Sequence, residues 1–251
     1  MRFDKLSAYI FVVLIFVSCE SEVGSSLADG AGTGQGGSMT RFSIQGNRMY
    51  VVDHAAIKVF DISNDNFKQI NEKNVGIGLE TIFAKGEYLY LGANDAMYIY
   101  SLTDPDSPTF IFRYSHIVSC DPVVVQGNRA YVTLRSGTAC NAGSNALEII
   151  DITNPYSPQL IANYPMDSPH GLAVDNTTLF ICEGERGLKV FDITDELNIK
   201  LTQSFTDFFA YDVIARQGLA TITGEDGIFQ YSYGNHQIQL LSKIPVARED
   251  F

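Results

Sequence analysis

Eight side chains could do chemistry in this chain: Glu80, Asp121, His170, Glu183, Arg186, Tyr211, Asp212 and Glu225. Five of them are carboxylates. Paired carboxylates serve acid–base hydrolysis, and oxygen ligands from Glu80, Asp121, Glu183 and Glu225 would suit Ca²⁺ better than Zn²⁺. The spacing supports neither chemistry by itself. The four histidines, His54, His116, His170 and His236, show no HExxH pattern, and no DxDxDG, GxSxG or SxxK string occurs. No catalytic residue, metal or cofactor is therefore assigned. Three readings stay open for the set: polar residues that solvate a wet opening, a recognition surface for a protein or glycan, or a metal or catalytic site.

The elements that must position these residues come from a repeat. Tyr50, Tyr90, Tyr131, Phe180 and Thr221 follow one another at steps of 40, 41, 49 and 41 residues. A second column, Asp61, Ser101, Asp151, Asp192 and Ser232, steps by 40, 50, 41 and 40. A period of this size means an array of like units, each too small to bury its own face. The units run about 40–79, 80–120, 121–169, 170–210 and 211–246.

One unit shows the pattern best. LAVD is strand a, TLFIC strand b, LKVFDI strand c and NIKLTQSF strand d, with turns at Asn176–Thr177 and in EGERG. Four short strands in about 40 residues have the dimension of a propeller blade. The fold expected is all-β: a β-propeller of five blades, each of four antiparallel strands. The chain has no Trp, which disfavours the WD-type blade.

If strand a lines a central channel, the d–a and b–c connections share one face. Thr40, Glu80, Asp121, His170 and Tyr211 align at the entry to strand a and would ring that mouth. Asp212 follows Tyr211, and Glu183, Arg186 and Glu225 lie in b–c loops. Propeller mouths are natural ligand sites. Asp61, Asp151 and Asp192 fall on the opposite face, where an Asp at a strand end accepts hydrogen bonds from turn amides.

The net charge of −12 argues against nucleic acid and against docking of the folded domain on an anionic membrane. Arg2 and Lys5 precede a ten-residue apolar run at 8–17, too short to span a bilayer and typical of an export signal. FVSC at 16–19 resembles a bacterial lipobox, with Phe16 where Leu is usual. The resemblance implies a signal peptide over 1–18 and a lipidated Cys19 that anchors the mature chain. Residues 19–38, rich in Gly and Ser, read as a flexible tether before a single domain at 39–251. GTGQGG within it formally matches the dinucleotide fingerprint, but no strand precedes it and no helix follows. Glu20 and Glu22 resemble signals that route lipoproteins to the outer surface of a Gram-negative-type cell.

The insertion RSGTACNAGSN at 135–145 lengthens the third unit and carries Cys140. An exported chain meets an oxidising compartment, so Cys120 and Cys140 are expected to pair. Cys182, at the end of TLFIC, reads as a buried small hydrophobe.

GNRMYV, GNRAYV, GLKVFDIT and NPYSP together resemble the LVIVD-repeat family of extracytoplasmic propellers. The resemblance covers about residues 40–246 and weakens in the last unit, where Thr221 and Ser232 replace the aromatic and the Asp. It implies a bacterial envelope lipoprotein with a propeller fold and implies no catalytic residue. The expectation is a binding or scaffolding module for an envelope protein or extracellular glycan. The other class is a carbohydrate-active hydrolase or lyase using the acidic mouth.

Overall fold

The computed structural model describes residues 36–64, 67–115, 122–137 and 145–246. All regular structure among the described residues is β-strand. The first six strands form one sheet in sequence order: β1 (Phe42–Gln45), β2 (Arg48–Asp61), β3 (Lys68–Lys85), β4 (Tyr88–Ala93), β5 (Ala96–Ser101) and β6 (Thr109–Ser115). Three four-stranded meanders follow. They are β7 (Val123–Gln126) to β10 (Gln159–Pro165) through β8 (Arg129–Leu134) and β9 (Ala146–Asp151); β11 (Leu172–Asp175) to β14 (Lys200–Phe205) through β12 (Thr178–Cys182) and β13 (Leu188–Asp192); and β15 (Ala210–Arg216) to β18 (Gln237–Pro245) through β16 (Leu219–Gly224) and β17 (Gly227–Gly234).

The first sheet holds two units, because β2 and β3 each serve twice. β2 pairs β1 through 48–51 and β3 mainly through 56–61, and between them His54 takes a left-handed φ of 45°. β3 pairs β2 through 68–74 and β4 through 79–85, with Gly76 and Gly78 at φ 146° and 90° between the arms. Such angles favour glycine, which lets the chain pass from one unit to the next without a break. Ile62 N donates to Asn47 O at 3.0 Å, as Ile152 N does to Asn128 O and Ile193 N to Thr177 O. The arms of β2 therefore form the b–c hairpin of the first unit. Divided at these points, the described strands group into four-stranded units that follow the repeat.

Each a–b hairpin closes with a two-residue turn whose first residue has positive φ: Gly46, Gly86, Gly127, Asn176 and Gln217. Turns of this handedness match the twist of paired strands. They place Gln45, Lys85, Gln126, Asp175 and Arg216 at equivalent ends of the five inner strands.

Apolar clusters join consecutive units. Tyr50, Val59 and Ile82 pack between units one and two, and Ile99, Val132 and Ile150 between two and three. Tyr131, Ile149 and Leu179 join three to four, and Phe180, Val190 and Ile222 join four to five. Full burial of one such side chain contributes about 2–3 kcal/mol. The aromatic column points at the following unit. Tyr50 OH donates to Pro105 O at 3.0 Å, Tyr131 OH to Glu196 Oε1 at 2.8 Å, and the Phe180 ring meets Tyr233 edge-on at 5.0 Å. In the last unit the corresponding positions carry Thr221 and Gln230, neither of them buried.

The Asp column behaves as the turn reading predicts. Oδ1 of Asp61, Asp151 and Asp192 accepts from the amide two residues on, at 2.8 Å each time. Ser101 does the same for Thr103 N at 3.1 Å. Arg48 bridges Asp61 at 3.2 Å and also reaches Asp106 of the next unit. Arg129 likewise links Asp151 at 3.0 Å to Glu196 at 2.7 Å.

Candidate functional site

The inner strands β1, β3, β7, β11 and β15 surround a central cavity of about 500 Å³. Its walls mix apolar side chains, Phe83, Val124, Val174 and Ile214 among them, with polar ones such as Ser43 and Gln126. One end lies at the a–b turns. The other, at the d–a connections, is the mouth where the sequence places its candidate residues.

The chain itself fills much of that mouth. Ser38, expected at the end of a flexible tether, is 1% exposed and belongs to the fold. Its hydroxyl donates to Asp212 Oδ1 at 3.0 Å and accepts from Leu172 N at 2.8 Å. Met39 N donates to Asp212 Oδ2 at 3.3 Å, and Ile82 N to Thr40 O at 3.1 Å. Residues 37–40 thus tie the first unit to the second, fourth and fifth. Asp212 is the anchor of this latch rather than a solvent-facing ligand. Burial pushes its carboxyl above the usual Asp range, against the lowering pull of Ser38, Val213 and Met39. Gly171 must be glycine here, since a Cβ would sit 2.0 Å from Asp212 Oδ1 and 2.8 Å from its Cα.

Glu183 is also structural. It is 0% exposed and accepts from Asp167 N at 3.1 Å and Ser168 N at 3.2 Å, while Lys189 Nζ stands 3.3 Å away. A buried charge needs such partners. It holds the d–a connection that leads to His170.

His170 is buried, with its backbone carbonyl accepting from Thr133 Oγ1 at 2.7 Å. Arg135 Nη1 lies 3.0 Å from His170 Nε2, and His170 Nδ1 lies 2.8 Å from Ser168 O. The arginine can only donate and the carbonyl can only accept. The ring is therefore neutral, protonated at Nδ1, with its Nε2 lone pair already taken. Burial first, then Arg135, holds its pKa below the ordinary 6.5, opposed by Ser168. Such an imidazole is poorly placed to act as a base.

Two aromatic rings continue from it. Phe209 meets His170 edge-on at 5.7 Å and Tyr211 at 4.6 Å, and Tyr211 is 40% exposed. Glu80 is half-buried. Burial raises its carboxyl, while Arg41, Arg135 and His54 pull it back. Arg41 Nη1 approaches His54 Nε2 at 3.2 Å. Arg186 and Glu225 stay exposed in their b–c turns, as the sequence implies. Asp121, Cys19, Cys120 and Cys140 lie outside the described residues.

The sequence reading finds Glu80, His170, Tyr211, Arg186 and Glu225 at this mouth and misses Arg41, Arg135, Phe209 and Ser38. The described part of the mouth carries both signs of charge instead of an acidic ring. Among the described residues no three His, Cys, Asp or Glu side chains group closely enough to hold a metal ion.

Four-stranded antiparallel meanders whose first strands surround a central cavity define a β-propeller. Solved structures agree on the fold. A functionally unknown protein from Desulfotomaculum acetoxidans superposes with a TM-score of 0.67 at 7% identity, over 80% of this chain and 67% of that one. A Lactobacillus plantarum protein gives 0.64 at 15%, over 79% and 69%. Apo AztD from Citrobacter koseri gives 0.56 at 10%, over 78% and 59%. This chain thus spans about two thirds of the length of these larger molecules. No curated protein matches the sequence. The family model described as LVIVD repeat matches two segments of the chain, residues 36–66 and 119–165, in keeping with the resemblance seen in the sequence.

Proposed function

We propose that this propeller is a binding module, exported and lipid-anchored through Cys19 at the outer membrane or cell surface, that holds an envelope protein or extracellular glycan at its d–a mouth. One observation carries the reading: the graded aromatic series His170, Phe209, Tyr211, which rises from the core to an exposed ring. Aromatic faces beside charged side chains suit both sugar rings and peptide side chains. Arg135, Arg186, Glu80 and Glu225 supply those charges. The FVSC string and the acids at 20 and 22 support the location. Two of the carboxylates available for acid–base work, Asp212 and Glu183, are committed to holding the chain.

The test is a glycan array together with in-situ cross-linking of the full lipidated chain, each comparing wild type with Tyr211→Ser. A defined glycan or protein that disappears with the substitution supports binding at this mouth. Recovery unchanged by Tyr211→Ser contradicts it.

A second reading, a carbohydrate hydrolase or lyase, draws on Glu80, a half-buried mouth carboxyl that burial raises. It requires glycan cleavage that Glu80→Gln abolishes without a loss of stability.

A further inference from the structure

We propose that the opposite end of the channel is a second binding site, for a small organic carboxylate that carries a neighbouring hydroxyl. The five inner strands end there in Gln45, Lys85, Gln126, Asp175 and Arg216, and all five line the cavity. Three of these residues stitch one unit to the next. Gln126 Nε2 donates to Asn176 O at 2.7 Å, and its Oε1 accepts from Asn176 N at 2.7 Å. Asp175 accepts from Tyr233 OH. Gln45 Nε2 donates to Gly86 O.

What remains is concentrated in one sector. Gln45 Oε1 is buried, and nothing among the described residues donates to it. A buried acceptor without a partner costs stability and calls for an explanation. Lys85, on the adjacent inner strand β3, and Arg216, at the equivalent end of β15, line the same cavity as Gln45. Both are exposed, and neither forms an ion pair or side-chain hydrogen bond among the described residues. The other basic residues of the a–b turns, Arg48 and Arg129, are neutralised by carboxylates. In a chain of net charge −12, two unpaired cations beside one orphan acceptor at a cavity rim form a distinct environment.

The chemistry follows from these atoms. Guanidinium and ammonium groups take a carboxylate, which Arg can hold with two parallel hydrogen bonds. Gln45 Oε1 demands an N–H or O–H, which a hydroxyl next to the carboxylate supplies. The partly apolar wall behind limits the body to a compact organic molecule, and about 500 Å³ lies in the range of small-ligand pockets.

The full-length protein is titrated calorimetrically with lactate, malate and glucuronate, with propionate, glucose and inorganic phosphate as comparison probes. At least one hydroxy acid saturates a single site and binds more tightly than propionate, glucose or phosphate. Lys85→Gln with Arg216→Gln weakens it at least tenfold without moving the melting temperature, since both side chains are exposed. Gln45→Met abolishes the preference for lactate over propionate, a ratio that survives any general loss of stability. Three results would overturn the proposal: no binding by any hydroxy acid, binding that survives the double substitution, or phosphate or glucose binding as tightly.

Discussion

Replacing Gly171 with Ala tests the latch at the d–a mouth. The backbone there has no left-handed φ, so Ala is conformationally acceptable and the effect isolates the contact. The new methyl would stand 2.0 Å from Asp212 Oδ1, 2.7 Å from its Cγ and 2.8 Å from its Cα. A free carboxylate could swing away. This one is held by Ser38 Oγ, Met39 N and Val213 N, and the Cα clash remains wherever it goes. Overpacking of this kind costs roughly 1–3 kcal/mol. Displacing the carboxylate from its donors adds about 1–3 kcal/mol. Near 2–4 °C per kcal/mol for a domain of this size, the melting temperature should fall by roughly 10 °C. Gly234→Ala is the control, because its Cβ meets nothing within 4 Å and its φ is ordinary. Thermal unfolding followed by circular dichroism reads both. In an Asp212→Ala background the Gly171 change should cost at least about 1 kcal/mol less, since the carboxylate clash has gone. A Gly171→Ala protein as stable as Gly234→Ala, or full additivity with Asp212→Ala, would refute the latch.

Three further outcomes are expected. Tyr131→Phe removes a hydrogen bond to Glu196 but leaves that carboxylate paired with Arg129, so denaturant unfolding should show a loss of about 1 kcal/mol; Tyr131→Leu, which also empties a site between units three and four, should cost clearly more. His170 is held below 6.5 when folded, so as pH falls the unfolded chain takes up a proton first. The stability this gives is present in full above pH 6.5, fades as pH falls toward the folded pKa, and that slope should flatten in His170→Asn when melting is followed against pH. Cys182 is 0% exposed, and burial pushes its thiol well up; with Cys120 and Cys140 joined as expected, a thiol reagent should find no reactive group in the native protein and one in denaturant, and non-reducing peptide mapping should recover the Cys120–Cys140 pair.

The architecture is legible in the sequence because every unit must solve the same packing problem at the same interval. Tyr50, Tyr131 and Phe180 each face the next unit, so the column keeps an aromatic there, while Thr221 of the last unit is not buried. Asp61, Asp151 and Asp192 each close a strand against a turn amide, a local device that a short window of sequence reveals. The mouth is harder to read. Asp212 and Glu183 look like surface carboxylates in the chain, because depth depends on what folds over them. Asp212 is covered by residues 37–40, more than 170 positions away, and Ser38 sits among glycines that suggest only a linker. Arg135 opens the insertion and falls on no repeat column, so only the fold brings it to His170. At the a–b rim, which of the basic residues Arg48, Lys85, Arg129 and Arg216 form ion pairs depends on carboxylates supplied by other strands.

The most direct test of the binding account is cross-linking of the full lipidated protein in its native envelope, with Tyr211→Ser and the Lys85→Gln/Arg216→Gln pair as parallel variants. The account predicts one defined partner or glycan recovered by wild type and by the rim variant, and lost with Tyr211→Ser. The same recovery from all three proteins would contradict recognition at the d–a mouth.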